Sequence, residues 1–239
     1  AIFEKLKIEL LKVKKSSLLL LALIIPIPVV LIVMKRIQVM GSMNGISLNE
    51  EIFIFSAIAY LSLLLPLQNI YTACVITKVE NDNCGWKQLM LLPIKKSSIY
   101  FSKYKVMIVT LITSILSYFT CIVLSEFYLS KSLSFNFQLL SYALQIFITT
   151  LPILILLFII GRNFSSIIPL ISIGVIMLIT NIFIAQSRFW VYAPWTYSMM
   201  IVGGNISSFE RYITLVVSIL LSIAMFSLDF IRFTKSDIK

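Results

Sequence analysis

Six stretches of this chain are long enough to cross a bilayer, and they carry a single charge between them. A membrane-spanning helix needs about 20 mostly apolar residues to cover a hydrocarbon core roughly 30 Å thick. The runs cover 18–34, 52–76, 106–125, 142–160, 164–185 and 212–231, and their one ionisable side chain is Asp229, near the end of the last, where it can snorkel or pair with Arg232. The division between the fourth and fifth runs rests on Gly161-Arg162-Asn163, which reads as a tight polar turn. Composition agrees, with 59% apolar and 13% charged residues in 239, against roughly 25% charged in a soluble domain. The expected fold is therefore an all-α integral membrane protein, a single domain over 1–239 built as a bundle of six transmembrane helices.

A cleaved signal peptide also begins with basic residues before an apolar run. Here that run is longer than usual, lacks a small-x-small cleavage site and is followed by Lys35-Arg36, so it is expected to stay as the first span, with no more than an initiator methionine missing before Ala1. Positive charge orients the spans. Lys5, Lys7, Lys12, Lys14 and Lys15 precede the first run; Lys78, Lys87, Lys95, Lys96, Lys103 and Lys105 lie between the second and third; Arg162 and three basic residues at the C-terminus complete that side. The other side holds Lys35, Arg36, Lys131, Arg188 and Arg211. Both termini are expected in the cytoplasm of a multi-pass cell-membrane protein. The net charge of +10 is then a topology signal that also favours anionic lipid, and no nucleic acid is needed to explain it.

The connecting segments are patterned. In the tail 1–15, Ile2, Phe3, Leu6, Leu10 and Val13 form one stripe opposite the lysines, as in a helix lying in the membrane interface. In the cytoplasmic loop 77–105, Asp82 or Asn83 can cap a short helix on which Trp86, Leu89, Met90 and Pro93 share a face, and Pro93 ends it. Ser97 or Ser98 opens a further amphipathic turn. A helix so short needs a surface to pack on: either the bilayer or a groove on a cytoplasmic protein. The external segment 186–211 gathers Phe189, Trp190, Tyr192, Trp195, Tyr197, Met199 and Met200. It reads as an interfacial aromatic belt, or as a surface or re-entrant element closing an outer mouth, with Trp190, Pro194 and Trp195 as its gate.

Polar residues inside the runs are candidates for a substrate pathway or for interhelical bonds: Gln68 and Asn69 after Pro66, and Asn181 in the fifth run. Pro66 has no N–H to give the carbonyl of Ser62, so the helix there should kink and that carbonyl should find another donor. Pro26, Pro28, Pro152 and Pro169 suggest further bends.

Several function classes fall away. The chain has no histidine, which removes Ser-His and Cys-His pairs. Cys74, Cys84 and Cys121 form no metal or disulfide pattern. An intramembrane protease of the Glu-Glu-x-x-x-Arg type would need arginine where Phe55 follows Glu50-Glu51. No charge is read at mid-membrane, which disfavours ion-coupled pumps and suits amphipathic cargo. No Gly-x-x-x-x-Gly-Lys-[Ser/Thr] occurs, so any ATP-driven motor belongs to another chain.

The order Glu80, Gly85, Trp86, Leu89, Pro93, Lys95, Lys96 and Lys103, together with six spans, resembles the cytoplasmic loop of ABC-2-type exporter permeases, most of all those that protect bacteria from lantibiotics and related antimicrobial peptides. The resemblance implies that 82–92 is a coupling helix and that Glu80, Asp82, Gly85, Trp86, Leu89, Met90 and Pro93 dock on a separate ABC ATPase. It also implies that ATP and Mg are bound by that ATPase, with no cofactor on this chain. A second permease, identical or homologous, would complete the pathway through which a peptide leaves the membrane. A membrane scaffold or sensor that binds a partner through Trp86, and a secondary transporter of amphipathic compounds, are the alternatives.

Overall fold

A computed structural model describes residues 18–43, 45, 47–81, 96–131, 137–204 and 206–235, and every regular element among them is helical. Six helical segments are long and apolar enough to cross a membrane. The first comprises α1 (Leu18–Ile24) and α2 (Ile27–Met40), and the second comprises α3 (Leu48–Ala59), a π-helical turn (Tyr60–Leu64) and α4 (Leu65–Asn81). The next three are α5 (Lys96–Ser130), α6 (Phe137–Asn163) and α7 (Ile168–Ala185). Two 3-10 turns, Arg188–Tyr192 and Pro194–Thr196, and the short α8 (Tyr197–Gly203) lead to the last span, α9 (Ser208–Lys235). The predicted interfacial helix in 1–15 lies outside the described residues.

The helices run past the uncharged stretches because polar residues cap and pair their ends. Ser47 caps α3 by accepting from the Glu50 N–H at 3.4 Å. At α9, Ser207 Oγ accepts from Glu210 N at 3.2 Å while Glu210 Oε2 accepts from Ser207 N at 2.7 Å, a reciprocal capping box. After α2 the chain turns at Gly41, whose φ of 78° suits glycine and whose N–H closes on the Ile37 carbonyl.

The fourth and fifth spans divide later than the sequence suggests. Gly161-Arg162-Asn163 forms the last turn of α6, and the chain reverses over 164–167 before Pro169 opens α7. Gly161 serves close packing, since a Cβ there would lie 2.7 Å from Thr77 Cγ2. The predicted loop 77–105 likewise shrinks. The second span continues to Asn81 and the third begins at Lys96, absorbing the amphipathic turn expected at Ser97-Ser98.

The first span lies along α5, α4 packs on α6 and α7, and α9 packs along α6. Between them sits a core of large side chains that includes Phe53, Tyr60, Tyr118, Tyr100 and Phe158. Tyr60 and Tyr118 stack with ring centroids 4.1 Å apart. One end of the bundle, here called proximal, holds Leu18, Asn81, Lys96, Asn163 and Lys235. The other, distal, holds Met40, Leu48, Ser130, Phe137 and Ala185.

Candidate functional site

At the proximal end four spans are tied by buried and half-buried polar side chains near the end of α4 and the start of α5. Glu80, on the last turn of α4, is ion-paired with Lys103 on the second turn of α5, and both side chains are buried. Next to them, Asn81 Nδ2 donates to the carbonyls of Gly161 at 3.1 Å and Phe164 at 2.8 Å, fastening α4 to the α6–α7 turn. Arg162 is ion-paired with Asp229 of α9, which also accepts from Tyr100 Oη of α5 at 2.8 Å. The rings of Tyr104, Phe158, Phe226 and Phe233 pack around Tyr100, and Arg162 lies over Phe233 at 5.3 Å from the ring centre. Charges so placed persist because each has an opposite partner, and Asp229 has the Tyr100 hydroxyl as well.

One expectation is corrected here and one residue is placed. Glu80 directs its carboxylate into the bundle toward Lys103. Asp229 pairs with Arg162 across two helices, not with Arg232 on its own. The other predicted docking residues, Asp82, Gly85, Trp86, Leu89, Met90 and Pro93, lie outside the described residues. Lys103, Arg162 and Tyr100 were not singled out as site residues, and their partners stand 23 to 129 residues away in sequence. The available signal was the opposite sign of charges at helix ends on one side of the membrane.

Midway along the bundle, the residues considered for a pathway bond neighbouring helices. Gln68 Oε1 accepts from Ser114 Oγ at 2.6 Å, and the same hydroxyl lies 2.8 Å from Tyr60 Oη. Ser56 Oγ and Tyr118 Oη lie 2.7 Å apart, so hydroxyls and an amide form a ladder between the second span and α5. The carbonyl of Ser62, denied a donor by Pro66, receives Asn181 Nδ2 of α7 at 3.2 Å. The local kink is a π-helical turn in which the Leu65 N–H reaches the Tyr60 carbonyl. Near the break at Pro26 in the first span, Ser117 Oγ donates to the Leu23 carbonyl at 2.7 Å. Both proline-interrupted helices therefore lean on a polar side chain of another span. Asn69 is buried, and its Nδ2 has no acceptor among the described residues.

The distal end has its own buried charges. Arg36 sits over the Phe55 ring at 3.7 Å and pairs with Glu51 at 3.8 Å, while Glu51 Oε2 accepts from the Met43 N–H at 3.0 Å. Asn49 Nδ2 donates to Glu126 of α5 at 2.6 Å. The aromatic segment divides into two parts. Phe189, Val191 and Tyr192 are exposed, whereas Ala193, Thr196, Tyr197, Ser198, Met200 and Ile201 are buried, and α8 packs on α6 and α3. Tyr197 Oη donates to the Val191 carbonyl at 2.5 Å and Thr196 Oγ1 to the Trp190 carbonyl at 3.1 Å. Burial holds the Tyr197 phenol above its ordinary pKa, so it remains a neutral donor. Pro194 opens the second 3-10 turn, and Trp195 lines a cavity with Pro66 and Asn181. Trp195 of the predicted gate and Asn181 of the predicted pathway thus share one cavity.

Among the described residues no cluster of three or more Cys, Asp or Glu is arranged to hold a metal. Residues 5–181 match the family model described as ABC-2 family transporter protein. No curated protein and no solved structure matches the chain.

Proposed function

This chain belongs to the ABC-2 transporter family, and from that membership we propose that it is the permease of an exporter that expels a lantibiotic-like antimicrobial peptide from the membrane, giving immunity or resistance. The family is a multi-pass transmembrane component of ABC transporters that associates with an ABC ATPase. ATP and Mg act on that separate subunit. The observation that carries the mechanism is the set of polar ties between spans at the proximal end. Segment 82–92 docks on the ATPase, and motion imposed there enters the bundle through Glu80–Lys103, passes to the α6–α7 turn through Asn81, and reaches α9 through Arg162–Asp229. The first, second and fifth spans then shift against those of a second permease, and the peptide leaves outward. The largely apolar interior supports an amphipathic cargo drawn from the bilayer. The excess of Lys and Arg on the proximal side supports cytoplasmic termini.

The test is purification of the tagged chain from its native membranes in mild detergent, with assays of ATPase activity and of peptide protection. A P-loop ATPase should co-purify, and Trp86→Glu should abolish both its recovery and protection while the permease still inserts. Full protection by that variant would overturn the docking assignment. Protection lost with the ATPase still bound and active would move the defect from docking to coupling.

A further inference from the structure

Asn181 and Trp195 line one cavity, and each buries a polar atom without a partner, one an acceptor and the other a donor. Asn181 is 1% exposed, and its Nδ2 is committed to the Ser62 carbonyl, which leaves the acceptor Oδ1 buried without a partner. Trp195 Nε1, a donor only, is also buried without a partner. Both residues line one cavity between α4, α6, α7 and the second 3-10 turn, with Pro66, Ile70, Leu157 and Met177 among its other walls. The room inside suits a group the size of one water molecule.

We infer that this cavity is a binding site for a single neutral hydroxyl group, which accepts from Trp195 Nε1 and donates to Asn181 Oδ1. One oxygen bearing one hydrogen meets both demands. A cation finds an N–H aimed at it and no carboxylate among the lining residues, an anion finds no cationic side chain there, and a fully apolar group leaves both atoms unsatisfied. The hydroxyl is that of one water molecule, because the cavity leaves no room for an alcohol's carbon chain. Bound there, it links the outer 3-10 turn to α7 and, through Asn181 Nδ2, to the π-helical turn of the second span. All lining residues come from one chain, so the site exists without a second permease and does not rest on the exporter reading.

The test uses Trp86→Phe/Trp190→Phe, which leaves Trp195 as the sole tryptophan, reconstituted in lipid nanodiscs. Ultraviolet resonance Raman bands of the indole report whether its N–H is hydrogen-bonded. The N–H should read as bonded in this parent and as unbonded in Leu157→Phe, which fills the cavity without touching either polar atom. Asn181→Leu should behave like Leu157→Phe. An unbonded indole in the parent, or a bond that survives both substitutions, would overturn the assignment. 1-Butanol, too large for the cavity, should leave the indole bands of the parent unchanged, and a saturable change that Leu157→Phe abolishes would overturn the assignment to water.

Discussion

Glu80 and Lys103 are worth most to the molecule as a pair. Removing one partner of a buried ion pair strands the other in a poorly solvating environment and typically costs about 3–5 kcal/mol, whereas replacing both with apolar residues is often neutral. Glu80→Met alone should therefore lower the thermal unfolding midpoint in detergent sharply, and Glu80→Met/Lys103→Met should recover most of it. If the pair also carries motion from the ATPase, the stable double variant will still fail to protect cells. The sequence exposed part of this scale. Pro66 announces an orphan carbonyl at Ser62, and Asn181 stands out as polar in an apolar span, yet 119 residues separate donor from acceptor and no local spacing joins them. Glu80, Lys103 and Arg162 are visible as charges, but reading spans as uncharged runs assigns all three to connecting segments. Only the fold shows that opposite charges on neighbouring helices meet.

The π-helical turn explains how one span keeps a single neighbour along its length. A regular helix advances about 100° per residue, so Tyr60 and Gln68, eight residues apart, would diverge by about 80° around its axis. The wider turn at Tyr60–Leu64 absorbs about one residue, the spacing acts as seven, and the two side chains come within about 20° of the same face. Both in fact reach Ser114. Deleting Leu63 should convert the turn to regular helix with both flanks still in phase, and should lower the midpoint only modestly. Deleting Ile54, within α3, should rotate Asn49 and Glu51 away from Glu126 and Arg36 and unfold the distal end. Thermal melts of the two deletions decide the matter. Proline revealed that the helix is irregular here; the kind of irregularity depends on which neighbours must be reached. The helix ends were less legible, because capping by Ser47 and Ser207 and pairing of terminal charges carry helices beyond their apolar runs.

At the scale of the whole molecule, an even number of spans places Leu18 and Lys235 on one face. With the positive side in the cytoplasm, a cysteine at Lys35 should react in intact cells with a membrane-impermeant maleimide, and one at Lys96 should react only after permeabilisation. The reverse pattern would invert the proposed orientation. The six spans and their alternation were evident from hydropathy, whereas the arrangement of helices around α5 and α6 depends on side-chain fit that no window along the chain records. The third span adds a dimension of its own. It is 35 residues long, about 52 Å, well beyond a hydrocarbon core of roughly 30 Å. Its buried charges, Lys103 and Glu126, are 23 residues apart, about 35 Å along the axis, so they bracket one slab of oil. That helix is a ruler: protection and ATPase coupling should peak in vesicles whose acyl chains match its graduations, and should decline in thinner and thicker bilayers alike.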